Sequence, residues 1–222
     1  ILLSGPSSSN GIRRWMDVMK KYDVDLILVD GALSRMSLAS PTVSESMILA
    51  TGAAYSANIN TLVQKTAFVV QMINLTSEEN YNRFFDIRNG VWAVDGNGSG
   101  MLVDLKVASS LSININTEGL KKCKTLYVSG ALTDNFINHI RQNKIFNETE
   151  IVVRDFTKIF LTPMTYNTFV NGKRKITVMQ KSKLIAVCVN PTSPNGIILD
   201  SEKLCKTLSD AINLPVYDLK KG

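Results

Sequence analysis

The sequence is poor in the residues that build metal sites and disulfide frameworks. It contains a single histidine, His139, and three cysteines, Cys123, Cys188 and Cys205, which lie far apart in the chain. A structural zinc site needs four ligands, usually clustered cysteines and histidines, and these residues do not supply that pattern. An odd number of widely spaced cysteines is typical of reduced thiols in a cytoplasmic protein. We therefore expect a cytoplasmic chain without a disulfide and without a zinc site.

Long apolar runs and strong local charge are also missing. No apolar stretch approaches the roughly 18 residues of a membrane span, so the sequence predicts no membrane partner. The net charge is +6, but the lysines form short clusters at expected turns with no aromatic residues between them. Such clusters are typical of solvated turns, and they do not indicate a nucleic-acid surface.

The sequence motifs of the common enzyme classes are not found either. A Walker A loop, G-x-x-x-x-G-K-[ST], is missing, as are the G-x-S-x-G turn of hydrolases and a G-x-G-x-x-G loop placed after a strand. We expect no catalytic residues and no self-contained catalytic site in this chain. Hydrolysis of a nucleotide would require a Walker A loop upstream of it.

Apolar strands alternate with amphipathic helices along most of the chain. Residues 25–31 and 184–189 are continuous apolar runs, which are typical of parallel strands covered on both faces. Two further strands flank the Gly-rich turn at residues 95–100, and this pattern predicts a β-hairpin. The pattern predicts a three-layer α/β fold with mostly parallel sheets, in which the hairpin belongs to the second lobe.

A polar stretch without clear periodicity, residues 76–89, marks the predicted domain boundary. It separates a partial P-loop-like α/β domain at residues 1–80 from a second α/β lobe at residues 84–222. Whether the two parts share a sheet stays open at this point. The chain begins with residues 1–4, which have the character of a buried strand interior. We therefore expect further sequence upstream.

Polar loops follow several of the predicted strands, and ligands of open α/β sheets bind at such strand ends. The loop at residues 5–11 precedes a helix, so its amides and hydroxyls suit a phosphate, although a serine-rich helix cap explains it as well. The loop at residues 190–194 is either a binding surface or a stiff connection. The candidate phosphate-binding residues of these loops are Asp30, Gly31, Ser34, Arg35, Ser40, Gly5, Ser7, Ser8, Ser9, Asn190 and Thr192.

The strongest of these signals is Asp30-Gly31 at the end of four apolar residues, 26–29. This is the Walker B pattern, in which the carboxylate orients Mg²⁺ beside the phosphates of a nucleotide. Arg35 and nearby hydroxyls suit recognition of phosphate or carboxylate. Asp30 is accordingly the candidate Mg²⁺ ligand. The competing interpretation is an ordinary turn, because strands that end in Asp-Gly are common.

Residues 25–41, with the sequence Leu-Ile-Leu-Val-Asp-Gly-Ala-Leu-Ser-Arg at their centre, resemble P-loop proteins of the dethiobiotin synthetase and cobyric-acid synthase type. Segments spread over most of the chain are more similar to the accessory, or reactivase, subunit family of lysine 5,6-aminomutase. These segments are residues 29–35, 40–41, 48–53, 154–158 and 189–194.

The second resemblance implies a protein that helps to keep a cobalamin- and pyridoxal-phosphate-dependent aminomutase of lysine fermentation active. The implied partners are lysine 5,6-aminomutase and a second reactivase subunit, and a homo-oligomer stays open. The chain alone would bind no cofactor, whereas Mg-ATP or Mg-GTP would bind together with the upstream region. Two alternatives remain, which are an ATP-dependent ligase-like enzyme related to dethiobiotin synthetase and a non-catalytic binding module.

Overall fold

The computed structural model describes residues 4–6, 8–30, 36–77, 79–96, 100–107, 115, 117–118, 120–218 and 220–221. The α-helices in these residues are α1 (Ser9–Met19), α2 (Ile59–Ile73), α3 (Asp134–Gln142), α4 (Pro163–Val170) and α5 (Ser201–Ile212). The strands are β1 (Met47–Gly52), β2 (Val91–Asp95), β3 (Leu102–Asp104), β4 (Cys123–Val128), β5 (Leu132–Thr133), β6 (Glu150–Val153), β7 (Ile159–Phe160), β8 (Lys175–Val178), β9 (Leu184–Asn190) and β10 (Val216–Asp218).

The first sheet is a three-stranded parallel sheet in the order β1-β9-β10. Helices α2 and α5 cover one of its faces, where Leu62 and Leu204 pack against Val187. Side chains alternate between the faces of a strand, so Ile48 and Tyr217 lie on the opposite face. Both are more than half exposed there.

The second sheet has five strands in the order β3-β2-β4-β6-β8. Strand β2 pairs antiparallel with β3 and with β4, whereas β4, β6 and β8 run parallel. One face carries the largest core, which includes Phe136 of α3 and Phe169 of α4. The other face is covered by the 3₁₀ turn Glu79–Phe84, whose Phe84 ring stacks on Tyr127. A short third sheet pairs β5 with β7.

Local sequence signals determine where several helices begin. Thr162 caps α4 by accepting a hydrogen bond from the Thr165 amide, and Pro163 takes the first helical position, where a missing N–H group removes no helical hydrogen bond. Asn58 and Thr133 cap α2 and α3 in the same way. These side-chain hydrogen bonds define where the three helices begin.

The predicted strand at residues 25–31 is wrong for the residues that the structure describes. Residues 25–30 belong to no strand, and Leu26 and Leu28 are 73% and 85% exposed. A strand needs a hydrogen-bonded neighbour in a sheet. Among the described residues, the edge strand β1 pairs only with β9. The apolar run therefore belongs to no sheet among the described residues. Gly31 lies outside the described residues.

The predicted class, a mixed α/β fold with mostly parallel sheets, is confirmed, since five of the seven strand pairings are parallel. The β-hairpin of β2 and β3 is confirmed as well. Three finer points stay predictions: the P-loop-like character of the first half, the third layer, and the division into domains at residues 80–84. The question of a shared sheet is answered, because β1 pairs with β9 across that boundary.

Membrane insertion finds no support in the helices. None of those in the described part of the chain combines the length and the apolar character of a membrane span.

The buried thiol of Cys123 provides a test of the packing of β4. Burial raises its pKa to about 12, so at pH 8 only about one thiol in ten thousand is ionised. We expect Cys123 to resist alkylation by iodoacetamide in the native protein, while the half-buried Cys205 reacts faster. Mass spectrometry of the alkylated peptides measures both rates. Equal rates for the two cysteines in the folded protein would contradict this packing.

Candidate functional site

The predicted loop before α1 forms a helix cap. Ser8 is the N-cap residue, and its hydroxyl accepts a hydrogen bond from the Gly11 amide at 3.1 Å. Ser9 is the first residue of α1, and Gly5 is exposed. This geometry agrees with the capping interpretation of the loop. Its phosphate-binding role stays a prediction, and Ser7 lies outside the described residues.

Asp30 follows the apolar run at residues 26–29 and is exposed to solvent. Gly31, Ser34 and Arg35, which follow it in the sequence, lie outside the described residues. An exposed carboxylate is accessible to a hydrated Mg²⁺, because this ion usually keeps several waters and takes one or two carboxylates. The role of Asp30 as a Mg²⁺ ligand stays a prediction.

Ser40 belongs to a buried polar cluster that the sequence did not predict. Its hydroxyl donates a hydrogen bond of 2.7 Å to Oδ2 of Asp155, a residue that is only 1% exposed. The Oδ1 atom of Asp155 accepts from the amide of Thr157 at 2.9 Å and from the Thr157 hydroxyl. Thr42 contacts the Ser40 hydroxyl at 2.9 Å. Both carboxylate oxygens therefore have donors, as a buried carboxylate requires.

This cluster attaches residues 40–42 to the second sheet. Asp155 follows the carboxyl end of β6, and Ser40 lies 115 residues earlier in the chain. The short 3₁₀ turn Met36–Ala39, which leads into Ser40, therefore lies beside the strand ends of that sheet. The sequence made Ser40 a candidate for phosphate binding, and that role stays a prediction. In the structure its hydroxyl is buried and bonded to Asp155, which attaches residue 40 to the carboxyl end of β6.

A second cluster lies at the carboxyl ends of β1 and β9. The Ala53 amide donates to the carbonyl oxygen of Asn190 at 2.9 Å, and the Asn190 side chain accepts from the Thr192 amide at 3.1 Å. Gly52 lies so close to Asn190 that an added Cβ would be 2.9 Å from the Asn190 carbonyl carbon. The structure therefore brings the turn after β1 together with the predicted loop at residues 190–194.

A lysine and a tyrosine extend this edge, and the sequence gave no signal for either. The ammonium group of Lys65 lies 5.0 Å from the centre of the Tyr55 ring, in the geometry of a cation–π contact. Tyr55 belongs to the turn after β1, and Lys65 lies in α2. Ten residues separate them, so neither helical nor strand periodicity links the pair.

The chemistry available at this edge is that of binding. It offers the N-terminus of the 15-residue helix α2, a carboxamide and an exposed lysine, which together suit a phosphate or a carboxylate. Within the part of the chain that the structure describes, no group of three or more His, Cys, Asp or Glu residues is arranged to hold a metal ion.

Comparisons with protein-family models, with curated proteins and with solved structures find no match for this chain.

Proposed function

We propose that this protein is an accessory protein that reactivates a cobalamin-dependent aminomutase of lysine fermentation, in a process linked to nucleotide binding. One observation carries the proposal. Four of the five sequence segments that resemble the reactivase family meet in pairs at the carboxyl ends of parallel strands. These are the ends at which α/β sheets bind their ligands.

The first pair consists of residues 40–41 and 154–158. The Ser40 hydroxyl is hydrogen-bonded to the Asp155 carboxylate, which also holds Thr157. Asp30 precedes Ser40 by ten residues in the sequence. The contact of residues 40–41 with residues 154–158 at a strand end supports a role for both segments in one site.

The second pair consists of residues 48–53 and 189–194. Strand β1 pairs with β9 from Met47 to Gly52, and the Ala53 amide continues the contact to the Asn190 carbonyl. Lys65 contributes a positive charge beside this junction. An anionic ligand such as a nucleotide phosphate fits these groups.

Exposed apolar surface supports the partner role. Leu26 and Leu28 are largely exposed, and Ile48 on the uncovered face of the first sheet is 57% exposed. Apolar side chains of this size are usually buried, and exposed ones are available to a protein partner. In the proposed function these side chains contact the aminomutase.

The activity is tested by rescue of an inactivated enzyme. Lysine 5,6-aminomutase is first allowed to lose activity during turnover, and the full-length protein is then added with free cobalamin and with Mg-ATP or Mg-GTP. The proposal predicts recovery of activity that depends on both the protein and the nucleotide. Nucleotide binding without rescue would favour the ligase-like alternative, and the lack of any nucleotide binding would favour a binding module.

We expect Asp30 to hold the Mg²⁺ ion of the bound nucleotide. In the full-length protein, Asp30→Ala should weaken the binding of the Mg-nucleotide about tenfold or more, because a charge-assisted contact is lost. Isothermal titration calorimetry measures the affinity. Asp25→Ala is the matched control, since Asp25 is an exposed aspartate at the other end of the same apolar segment. Equal affinities of the two variants would remove Asp30 from the site.

A further inference from the structure

A cleft of about 280 Å³ lies at the end of the second sheet opposite to the Ser40–Asp155 cluster. The 3₁₀ turn Glu79–Phe84, the carboxyl end of β2 and the amino ends of β4 and β6 form its walls. Its volume is close to the lower limit, about 300 Å³, of typical small-molecule sites. Phe84 and Val94 also line it, with 1% and 5% of their surface exposed.

The polar part of the lining is organised around Glu150. One oxygen of this carboxylate, Oε1, accepts from the Tyr81 hydroxyl, from Thr177 at 2.9 Å and from the Lys175 ammonium group at 3.0 Å. Tyr81 and Thr177 also contact each other at 2.9 Å. The negative charge of Glu150 is thus compensated by protein groups, and its side chain is held in place.

Two cations face the cleft, Arg83 from the 3₁₀ turn and Lys124 from β4. Nearby Lys122 and Lys173 are engaged elsewhere, because both contact Glu148, at 2.6 Å and 3.1 Å. Lys124, in contrast, forms no ion pair with any residue in the described part of the chain. Arg83 has a long contact of 3.5 Å with the Gly100 carbonyl and is exposed.

We propose that this cleft binds a small organic molecule with one carboxylate, which contacts Arg83 and Lys124 while its apolar body lies against Phe84 and Val94. An arginine fork and a lysine are the side chains that recognise a carboxylate best. Asp95 adds a negative charge to the same lining, which disfavours multiply charged anions such as phosphate. This site is independent of the nucleotide edge and of the proposed reactivase function.

The test uses phenylacetate as the probe, with amide chemical shifts from NMR as the readout. We expect phenylacetate to shift the amides of Val94, Gly96 and Thr125 in the cleft, and to leave the amide of Thr51 in the first sheet unchanged. Uncharged phenylacetamide and inorganic phosphate should shift the cleft amides less at equal concentration.

Variants that remove one positive charge each test how much charge contributes to phenylacetate binding in the cleft. Lys124→Gln and Arg83→Gln should each weaken phenylacetate binding roughly threefold, as is typical of exposed ion pairs, and higher salt should reduce the difference. Lys206→Gln, at an exposed position on α5, is the control and should bind like the natural protein. Equal shifts with phenylacetamide, or unchanged affinity in both cleft variants, would overturn the proposal, as would the lack of any shift in the cleft.

Discussion

Replacement of Gly52 with alanine should destabilise the protein by about 3 kcal/mol, a typical upper value for overpacking. Gly52 ends β1 directly beside Asn190, and a Cβ there would lie 2.9 Å from the carbonyl carbon and 3.0 Å from the amide nitrogen of that residue. Both atoms belong to the backbone of β9, so no flexible side chain can move aside. Either β1 or β9 would have to shift, and the junction between them would open.

Urea denaturation of Gly52→Ala and of the natural protein measures this effect as a difference in unfolding free energy. Gly172→Ala is the matched control, because no atom lies within 4 Å of a Cβ at that position. The control should differ from the natural protein by less than about 1 kcal/mol. If both variants were equally stable, the close approach of Gly52 to Asn190 would be wrong.

The second large effect is expected for Asp155→Ala. This change removes the acceptor of three donors, which are the Ser40 hydroxyl, the Thr157 amide and the Thr157 hydroxyl. Ser40 and Thr157 are buried, so water does not readily replace the lost partner. Buried donors without acceptors cost about 1–3 kcal/mol each, and partial relaxation reduces the sum. We expect a loss of about 3 kcal/mol in unfolding free energy.

A double-mutant cycle shows whether Ser40 is part of this effect. Ser40→Ala alone should destabilise the protein by about 1 kcal/mol, and in the Asp155→Ala background it should have much less effect, because the partner is already gone. Asp210→Ala, at an exposed position on α5, should be nearly neutral. Additive effects of the Ser40 and Asp155 substitutions would show that the two side chains do not interact.

Local features of the fold could be predicted from the sequence because their causes are local. The cap and proline at Thr162-Pro163 define the start of α4, and the Gly-rich turn after Asp95 defines a hairpin. The continuous apolar run of β9 identifies a strand whose middle is buried. Each of these signals spans fewer than ten residues, so neighbouring side chains and backbone preferences are sufficient to produce it.

Contacts between distant segments could not be predicted in this way. The pairing of β1 with β9 and the bond between Ser40 and Asp155 each join residues more than 100 positions apart. The apolar run at residues 26–29 was predicted to be a strand, yet periodicity says nothing about whether a neighbouring strand is present. For the same reason nothing in the sequence indicated that the Ser40 hydroxyl is bonded to a buried carboxylate.

In the proposed function, the nucleotide binds at the carboxyl ends of β1 and β9. Hydrogen–deuterium exchange of the full-length protein, with and without saturating Mg-ATP or Mg-GTP, tests this assignment directly. We predict that the nucleotide slows exchange at residues 52–58 and 190–194. Unchanged exchange in both segments, or slower exchange only around Arg83 and Lys124 at the opposite end of the second sheet, would contradict it.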